Sequence, residues 1–256
     1  YCMSSKVNQN IKDYKDKRAS ITNTIIDYLD GDENIGKDFN IHKYLDKLKS
    51  EKNVFEFNKF LDFLRIIINN HHRNSDFFDK IEPILVYFKD DIKHEMSNLE
   101  IFKYFSENKR INYLLLKNQI IEIDDSIIDI LSKPQNAAYF EPFLEMHYTG
   151  YPIKECDEKI KNGENDSYIS QMIRKDLVVE FIKYMNTNNY PLNSKITKSI
   201  FETNPLLNEK EPTLIEYAAF YGSIQIFNYL RLNNVDLTPS LWIYAIHSKN
   251  GELIHI

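Results

Sequence analysis

Two short clusters carry the residue types that could do chemistry. His71-His72-Arg73 followed by Asp76 offers imidazole and carboxylate groups, and a metal or acid–base centre requires such groups to converge in one pocket. Adjacent histidines on a helix point about 100° apart, so as helical residues they cannot both ligate one ion. They also stand between an apolar run and Ser75, where a polar helix end or cap is ordinary. Asp90, Asp91, His94 and Glu95 offer ligands at i, i+4 spacing. The same spacing describes a solvated helical face, and no HExxH or calcium-loop pattern follows it. Cys2 and Cys156 have neither CxxC spacing nor a histidine at zinc-finger distance. Gly-rich phosphate loops and a GxSxG elbow are absent from the sequence. Asn165-Asp166-Ser167 has the form of a glycosylation sequon, read as coincidental because Tyr1 to Lys17 is polar and holds no signal-peptide core. The inventory points to no catalysis, no cofactor and no metal. The rival that retains chemistry is a small helical metal-dependent enzyme centred on His71, His72 and Asp76, with Asp90 and His94. Stoichiometric metal lost on His71→Ala is its test.

The elements that must position these groups follow from composition. Hydrophobic residues make up 43% of the 256 residues and charged residues 27%, enough for a sizeable core. Only 6 residues are glycine, roughly a third of average usage, so folds that depend on tight turns are disfavoured and plain helical connections are expected. The abundance of Ile, Asn, Lys, Tyr and Phe also fits a genome rich in A and T. A net charge of −6, without a run of five Lys or Arg, disfavours a nucleic-acid partner, whose phosphates call for a basic face. Two cysteines fit a reduced compartment, and the reading is of an intracellular, cytoplasmic chain. The densest apolar stretches, Phe57 to Ile68 and Ile81 to Phe88, are broken by Lys59, Asp62, Arg65, Glu82 and Pro83. Neither approaches the roughly 18 apolar residues of a membrane span.

Apolar spacing is helical almost throughout. Phe57, Phe60, Leu61, Leu64 and Ile68 share one helix face, and Phe77, Ile81, Ile84, Leu85 and Phe88 repeat the pattern. Pro83 predicts a kink or break in the second stripe. Ser97 with Glu100 forms a capping box ahead of Ile101, Phe102 and Phe105. A short helix then carries Ile111, Leu114 and Leu115. Asp124 or Asp125 caps another, with Ile127, Ile128 and Leu131, which Lys133-Pro134 ends. No alternating segment is long enough for a strand. The pattern is weakest from Thr149 to Asp166, where an organisational boundary divides an irregular helical region, 1–150, from a repeat region, 151–256.

An internal repeat occupies the second region. Thr213-Leu-Ile-Glu-Tyr-Ala-Ala-Phe-Tyr-Gly222 aligns with Ser240-Leu-Trp-Ile-Tyr-Ala-Ile-His-Ser-Lys249 at an offset of 27 residues. Leu214 then meets Leu241, Tyr217 meets Tyr244 and Ala218 meets Ala245. A weaker copy lies 46 residues upstream, where Ser167-Tyr-Ile covers Thr213-Leu-Ile, and Val178 and Phe181 cover Ile224 and Phe227. Ser194 to Glu211 is an insertion with a short helix of its own.

Thr213 to Gly222 resembles the ankyrin signature T-P-L-H-x-A-A-x-x-G, and Ile226-Phe227, Leu230 and Asn234-Val-Asp-Leu-Thr238 resemble its continuation. Small Ala218 and Ala219 permit close helix packing, and Gly222 suits the turn into the second helix. Glu216 stands in place of the family's histidine and completes a capping box with Thr213. The repeat is shorter than the roughly 33 residues of ankyrin, so the projecting finger shrinks to a turn around Leu237-Thr-Pro-Ser240. Asn234 replaces glycine at a position where Asn tolerates the left-handed region, and Lys249 replaces the turn glycine of the last repeat. The whole chain is similar to a divergent ankyrin-containing family of unknown function that is abundant in unicellular eukaryotes.

The resemblance implies an all-α solenoid of stacked antiparallel helix pairs, ending in about two and a half ankyrin-like repeats with shortened fingers. It also implies protein binding through the concave first-helix face, where Tyr217, Phe220, Tyr221, Tyr244, His247 and Ser248 are the candidate contacts. Packing between neighbouring repeats is the alternative role for these rings. Two further readings remain open, a partner of unstated identity and a structural family member with no dedicated partner. Tyr1 is not an initiator methionine and Gly251 to Ile256 reads as the opening turn of a helix. The expectation is a chain cut within a structural unit, whose unfinished repeat favours self-association.

Overall fold

The computed structural model describes residues 2–31, 38–51, 55–70, 76–150, 158–248 and 250–254. Among these residues the regular structure is helical, apart from an isolated antiparallel bridge between Lys195 and Thr213. The chain divides into two compact units. The first comprises Tyr1–Ile68, Arg73–Lys103 and Leu114–Glu122; the second comprises Asn69–His72, Tyr104–Tyr113 and Ile123–Ile256.

The first unit begins with α1 (Cys2–Asp30) and α2 (Ile41–Ser50). Asn40 caps α2 by accepting a hydrogen bond from the Lys43 N–H. In α3 (Phe57–Asn70) the stripe holds: Phe60, Leu61, Leu64 and Ile68 are buried, Ile67 joins them, and Phe57 lies half-buried at the edge. Phe77, Ile81, Ile84, Leu85 and Phe88, on and just after α4 (Phe77–Tyr87), are all buried, and α1 and α2 both pack on this helix. Pro83 does not break α4, which continues to Tyr87. A proline removes one backbone hydrogen bond, and the buried side chains on both sides of it hold the helix together. After α5 (Lys89–Glu95) comes α6 (Asn98–Tyr104), closed by the expected capping box. Glu100 Oε2 accepts from the Ser97 N–H at 2.9 Å, and Ser97 Oγ accepts from the Glu100 N–H at 3.4 Å. The helix α7 (Lys109–Lys117) is shared between the units: Leu114 and Leu115, in the first, and Ile111, in the second, are buried.

In the second unit Asp124, rather than Asp125, caps α8 (Asp125–Leu131), accepting from the Ile127 N–H. Lys133 is extended, and Pro134 opens α9 (Pro134–Ala137) at a position where its missing N–H costs nothing. Then come α10 (Glu141–Thr149) and α11 (Glu158–Asn162). The remaining helices form hairpins. They are α12 (Tyr168–Arg174) with α13 (Val178–Thr187), then, after the insertion helix α14 (Pro205–Lys210), α15 (Leu214–Tyr221) with α16 (Ile224–Leu232), and finally α17 (Leu241–His247) with α18 (Gly251–Ile254).

The first two hairpins follow one plan, and the sequence offset locates it. Ser167, Thr213 and Ser240 precede the first helices. Asp176 and Gly222, 46 residues apart, both take left-handed φ, at 50° and 71°. The hydrogen bond from the Leu177 N–H to Met172 O recurs as that from the Ser223 N–H to Ala218 O. Second helices end alike: Asn189 and Asn234 are left-handed, and Tyr190 and Val235 each donate five residues back. First helices pack in series, α12 on α15 and α15 on α17, while α13 packs on α16.

Candidate interaction surface

The capping box of α15 reaches beyond its own helix. Glu216 Oε2 accepts from the Thr213 N–H at 2.8 Å and from Thr213 Oγ1 at 3.0 Å. Its Oε1 accepts from Thr238 Oγ1 and Ser240 Oγ, both at 2.6 Å. Burial pushes the pKa of this carboxyl up, but the hydroxyls of Ser240 and Thr238 and the bonds from Thr213 outweigh it, leaving Glu216 below its ordinary 4.5. One carboxylate therefore closes the helix start and fastens the connection to the next hairpin.

A second link uses the left-handed corner. Asp176 accepts from the N–H groups of Gln225 and Ile226, each at 3.0 Å, and so caps α16 from the preceding hairpin. A carboxylate at this place also opposes the positive end of the α16 dipole. Ser223 Oγ donates to Ile173 O at 2.5 Å beside it.

The candidate contact residues divide into two groups. Tyr217, Phe220 and Tyr244 are interior, with relative exposures of 0%, 3% and 2%. Tyr217 Oη accepts from Arg174 Nη1 at 3.0 Å, and Arg174 Nε pairs with Glu164 at 2.8 Å. Burial raises the phenol pKa of Tyr217, and it raises that of Tyr244 to about 12. Of the two roles left open for these rings, contact surface and packing between repeats, Tyr217, Phe220 and Tyr244 take the second: α15 meets α12, α16 and α17, and every side chain from Leu214 to Phe220 is covered. Tyr221, His247 and Ser248 are half-buried. Tyr221 lies 4.9 Å from the Tyr217 ring, and its buried hydroxyl has a strongly raised pKa, chiefly from burial. His247 stacks on Phe220 at 5.1 Å. Ser248 Cβ stands 3.5 Å from where a side chain on Gly222 would begin. All six residues therefore line or border the packing between hairpins.

The insertion is held by polar groups. Glu202 is buried and accepts from the backbone N–H groups of Asn165 and Asn204. Asn165 Nδ2 donates to Thr197 O, and its side chain is buried, so the sequon is closed in the folded chain. A cavity of about 10 Å³ lined by Asn165, Glu202, Lys198 and Tyr217 remains here, and another of about 40 Å³ lies beside Arg18, Phe55 and Phe63 in the first unit. Both are far below the several hundred Å³ of a small-molecule site.

His71, His72, Arg73 and Ser75, with Cys156, lie outside the described residues. Asp76 pairs with Lys80 at 2.7 Å and Asp91 with Lys49 at 2.5 Å. Asp90 is exposed, and His94 points to solvent beside Glu95. Among the described residues no three His, Cys, Asp or Glu side chains are grouped to hold a metal ion, and no helix is long and apolar enough to cross a membrane.

The feature that the spacing did not single out is the outer side of α17. Trp242, Ile243 and Ile246 are 52%, 50% and 63% exposed. Their counterparts one repeat earlier, Ile215, Glu216 and Ala219, are buried, and so are Ile169, Ser170 and Ile173 in α12. Position by position, the same face is covered twice and open once. The chain matches no family model, no curated protein and no solved structure with which it was compared.

Proposed function

We infer that the chain is a protein-binding scaffold of ankyrin-like repeats, an α-solenoid in its C-terminal part, and that it engages a protein partner without doing chemistry on it. The observation that carries this reading is the open face of Trp242, Ile243 and Ile246. A contiguous patch of exposed large apolar side chains is uncommon on a protein surface without a binding role, and Trp is among the residues most enriched at interface hot spots. Here the polar position held by Ser170 and Glu216 in the earlier repeats becomes Ile243. The concave-face rings contribute rigidity, since their packing fixes α17 on α15 and holds the patch in place.

The test is affinity capture from the native cell with the wild-type chain and the Ile243→Asp, Ile246→Asp double variant. Both residues are exposed, so the variant is expected to keep the wild-type melting temperature while losing the partner recovered by the wild type. An identical set of partners for both chains contradicts the reading.

A further inference from the structure

The connection from α16 to α17 carries the one Ser-Pro or Thr-Pro step of the chain, Thr238-Pro239. Proline after a hydroxyl residue is the step that proline-directed protein kinases select, and its ring biases the residue before it toward an extended backbone. The neighbouring side chains are open: Asp236 and Pro239 are exposed and Leu237 is 49% exposed, while Thr238 itself is half-buried. Backbone bonds hold the stretch at its ends, from the Val235 N–H to Leu230 O and from the Leu241 N–H to Thr238 O. Between them the Asp236 N–H reaches Asn193 Oδ1 at 3.2 Å, and the N–H groups of Leu237 and Thr238 make no hydrogen bond among the described residues. A segment tied down by so few bonds opens locally without unfolding its neighbours.

The Thr238 hydroxyl is also part of the fastening between two repeats. Its Oγ1 donates to Glu216 Oε1 at 2.6 Å and lies 2.8 Å from Ser240 Oγ, which donates to the same oxygen. Glu216 is buried, and its hydrogen bonds keep it ionised at neutral pH. A phosphate on Thr238 would exchange the donated proton for about −1.5 to −2 charges beside this carboxylate. No Lys or Arg occurs in the sequence between Arg231 and Lys249, so the segment itself supplies no cation to offset them. Lys195, which bridges Thr213 through the backbone, is 62% exposed and turned to Glu211 at 3.8 Å, and exposed pairs contribute little. Like-charge repulsion therefore sets the outcome, and it opens the bond network that Glu216 makes to the start of α17.

We propose that Thr238 is a phosphorylation site for a proline-directed protein kinase using a nucleoside triphosphate, and that its modification loosens α17 from α15. In the transfer Thr238 Oγ1 attacks the γ-phosphorus, the bond to the bridging oxygen breaks, and the nucleoside diphosphate leaves with the electron pair. The hydroxyl proton passes to the base of the kinase. Neither the transfer nor its effect on α17 needs a binding partner, so the outcome does not depend on the protein-binding reading.

The folded chain is incubated with ATP and an active kinase of the mitogen-activated class, and the phosphate is located by peptide mass spectrometry. The expected result is transfer to residue 238, retained in Thr238→Ser and absent in Thr238→Ala. The phosphorylated chain should melt below Thr238→Ala, which loses the same hydrogen bond without gaining charge. Against Glu216→Gln, where no carboxylate faces the phosphate, the same comparison should give less than half that difference. Trp242 on α17, the 1 tryptophan of the chain, supplies a local readout, and its fluorescence anisotropy should fall further on phosphorylation than in Thr238→Ala. No transfer to Thr238 in the folded chain overturns the proposal. So does a phosphorylated chain that melts at or above Thr238→Ala, or a difference that persists undiminished with Glu216→Gln.

Discussion

Ser240 donates its hydroxyl to Glu216 Oε1 at 2.6 Å, so the residue that precedes α17 is bound to the third residue of α15. This bond joins successive repeats through a buried carboxylate whose other oxygen closes its own helix. Charge-assisted bonds of this kind contribute about twice a neutral one. Glu216→Ala removes all of them and leaves the Thr213 N–H and three hydroxyls without their acceptor. The expected loss is about 2–3 kcal/mol of stability, read as a lower denaturant midpoint, with a smaller loss in Glu216→Gln.

The same carboxylate predicts the direction of pH dependence. Its folded pKa lies below its ordinary 4.5. Its contribution is therefore fully present above that value and disappears as pH falls through the lower folded pKa. Wild-type melting temperature should drop on acidification below about 4.5, the ordinary value, and the difference between wild type and Glu216→Gln should shrink over that window. A difference that is constant with pH contradicts the assignment.

Truncating the interior rings tests their role in the packing between hairpins. Tyr217→Ala and Phe220→Ala each open a cavity in the core, at about 3–5 kcal/mol. Tyr217→Phe keeps the packing and removes only the acceptor for Arg174, at about 1 kcal/mol. Thermal melts of the three variants distinguish these effects, and an unchanged melting temperature in the alanine variants would show that the rings are not core.

Asp176 supports two features at once, a left-handed corner and the start of α16. Asp176→Ala loses both N–H acceptors and places a Cβ at φ 50° without a local hydrogen bond, costing about 2 kcal/mol. Asp176→Gly loses the same bonds but accepts the backbone angle, as Gly222 does one repeat later. Stability should therefore fall in the order wild type, Asp176→Gly, Asp176→Ala, measured by urea unfolding.

Local signals were the legible ones. The Ser97–Glu100 and Thr213–Glu216 boxes and the Asp124 cap depend on side chains bonding within a few residues, and left-handed Asn234 on the residue's own backbone tolerance, so spacing alone reveals them. The buried stripes of α3 and α4 follow for the same reason, since each helix has one covered face. Pro83 leaves α4 unbroken because the packing of its buried side chains outweighs a single lost backbone bond. The second link of Asp176 was in reach: the 46-residue offset already placed it over Gly222, yet its reach to α16 depends on how two hairpins stack. The roles of Tyr217, Phe220 and Tyr244 depended on how many neighbours each helix has. Leu214 to Tyr221 is apolar all round, which marks an enclosed helix, but α17 has the same character and is enclosed on one side only. Periodicity does not distinguish the two cases. Alignment of the three burial patterns does.

The claim that the outer face of α17 binds the partner is tested most directly by acrylamide quenching of Trp242 in the purified chain, free and saturated with the captured partner. Ready quenching is expected in the free chain, and a blue-shifted, protected Trp242 in the complex. A stable complex in which Trp242 stays as quenchable as in the free chain would contradict it.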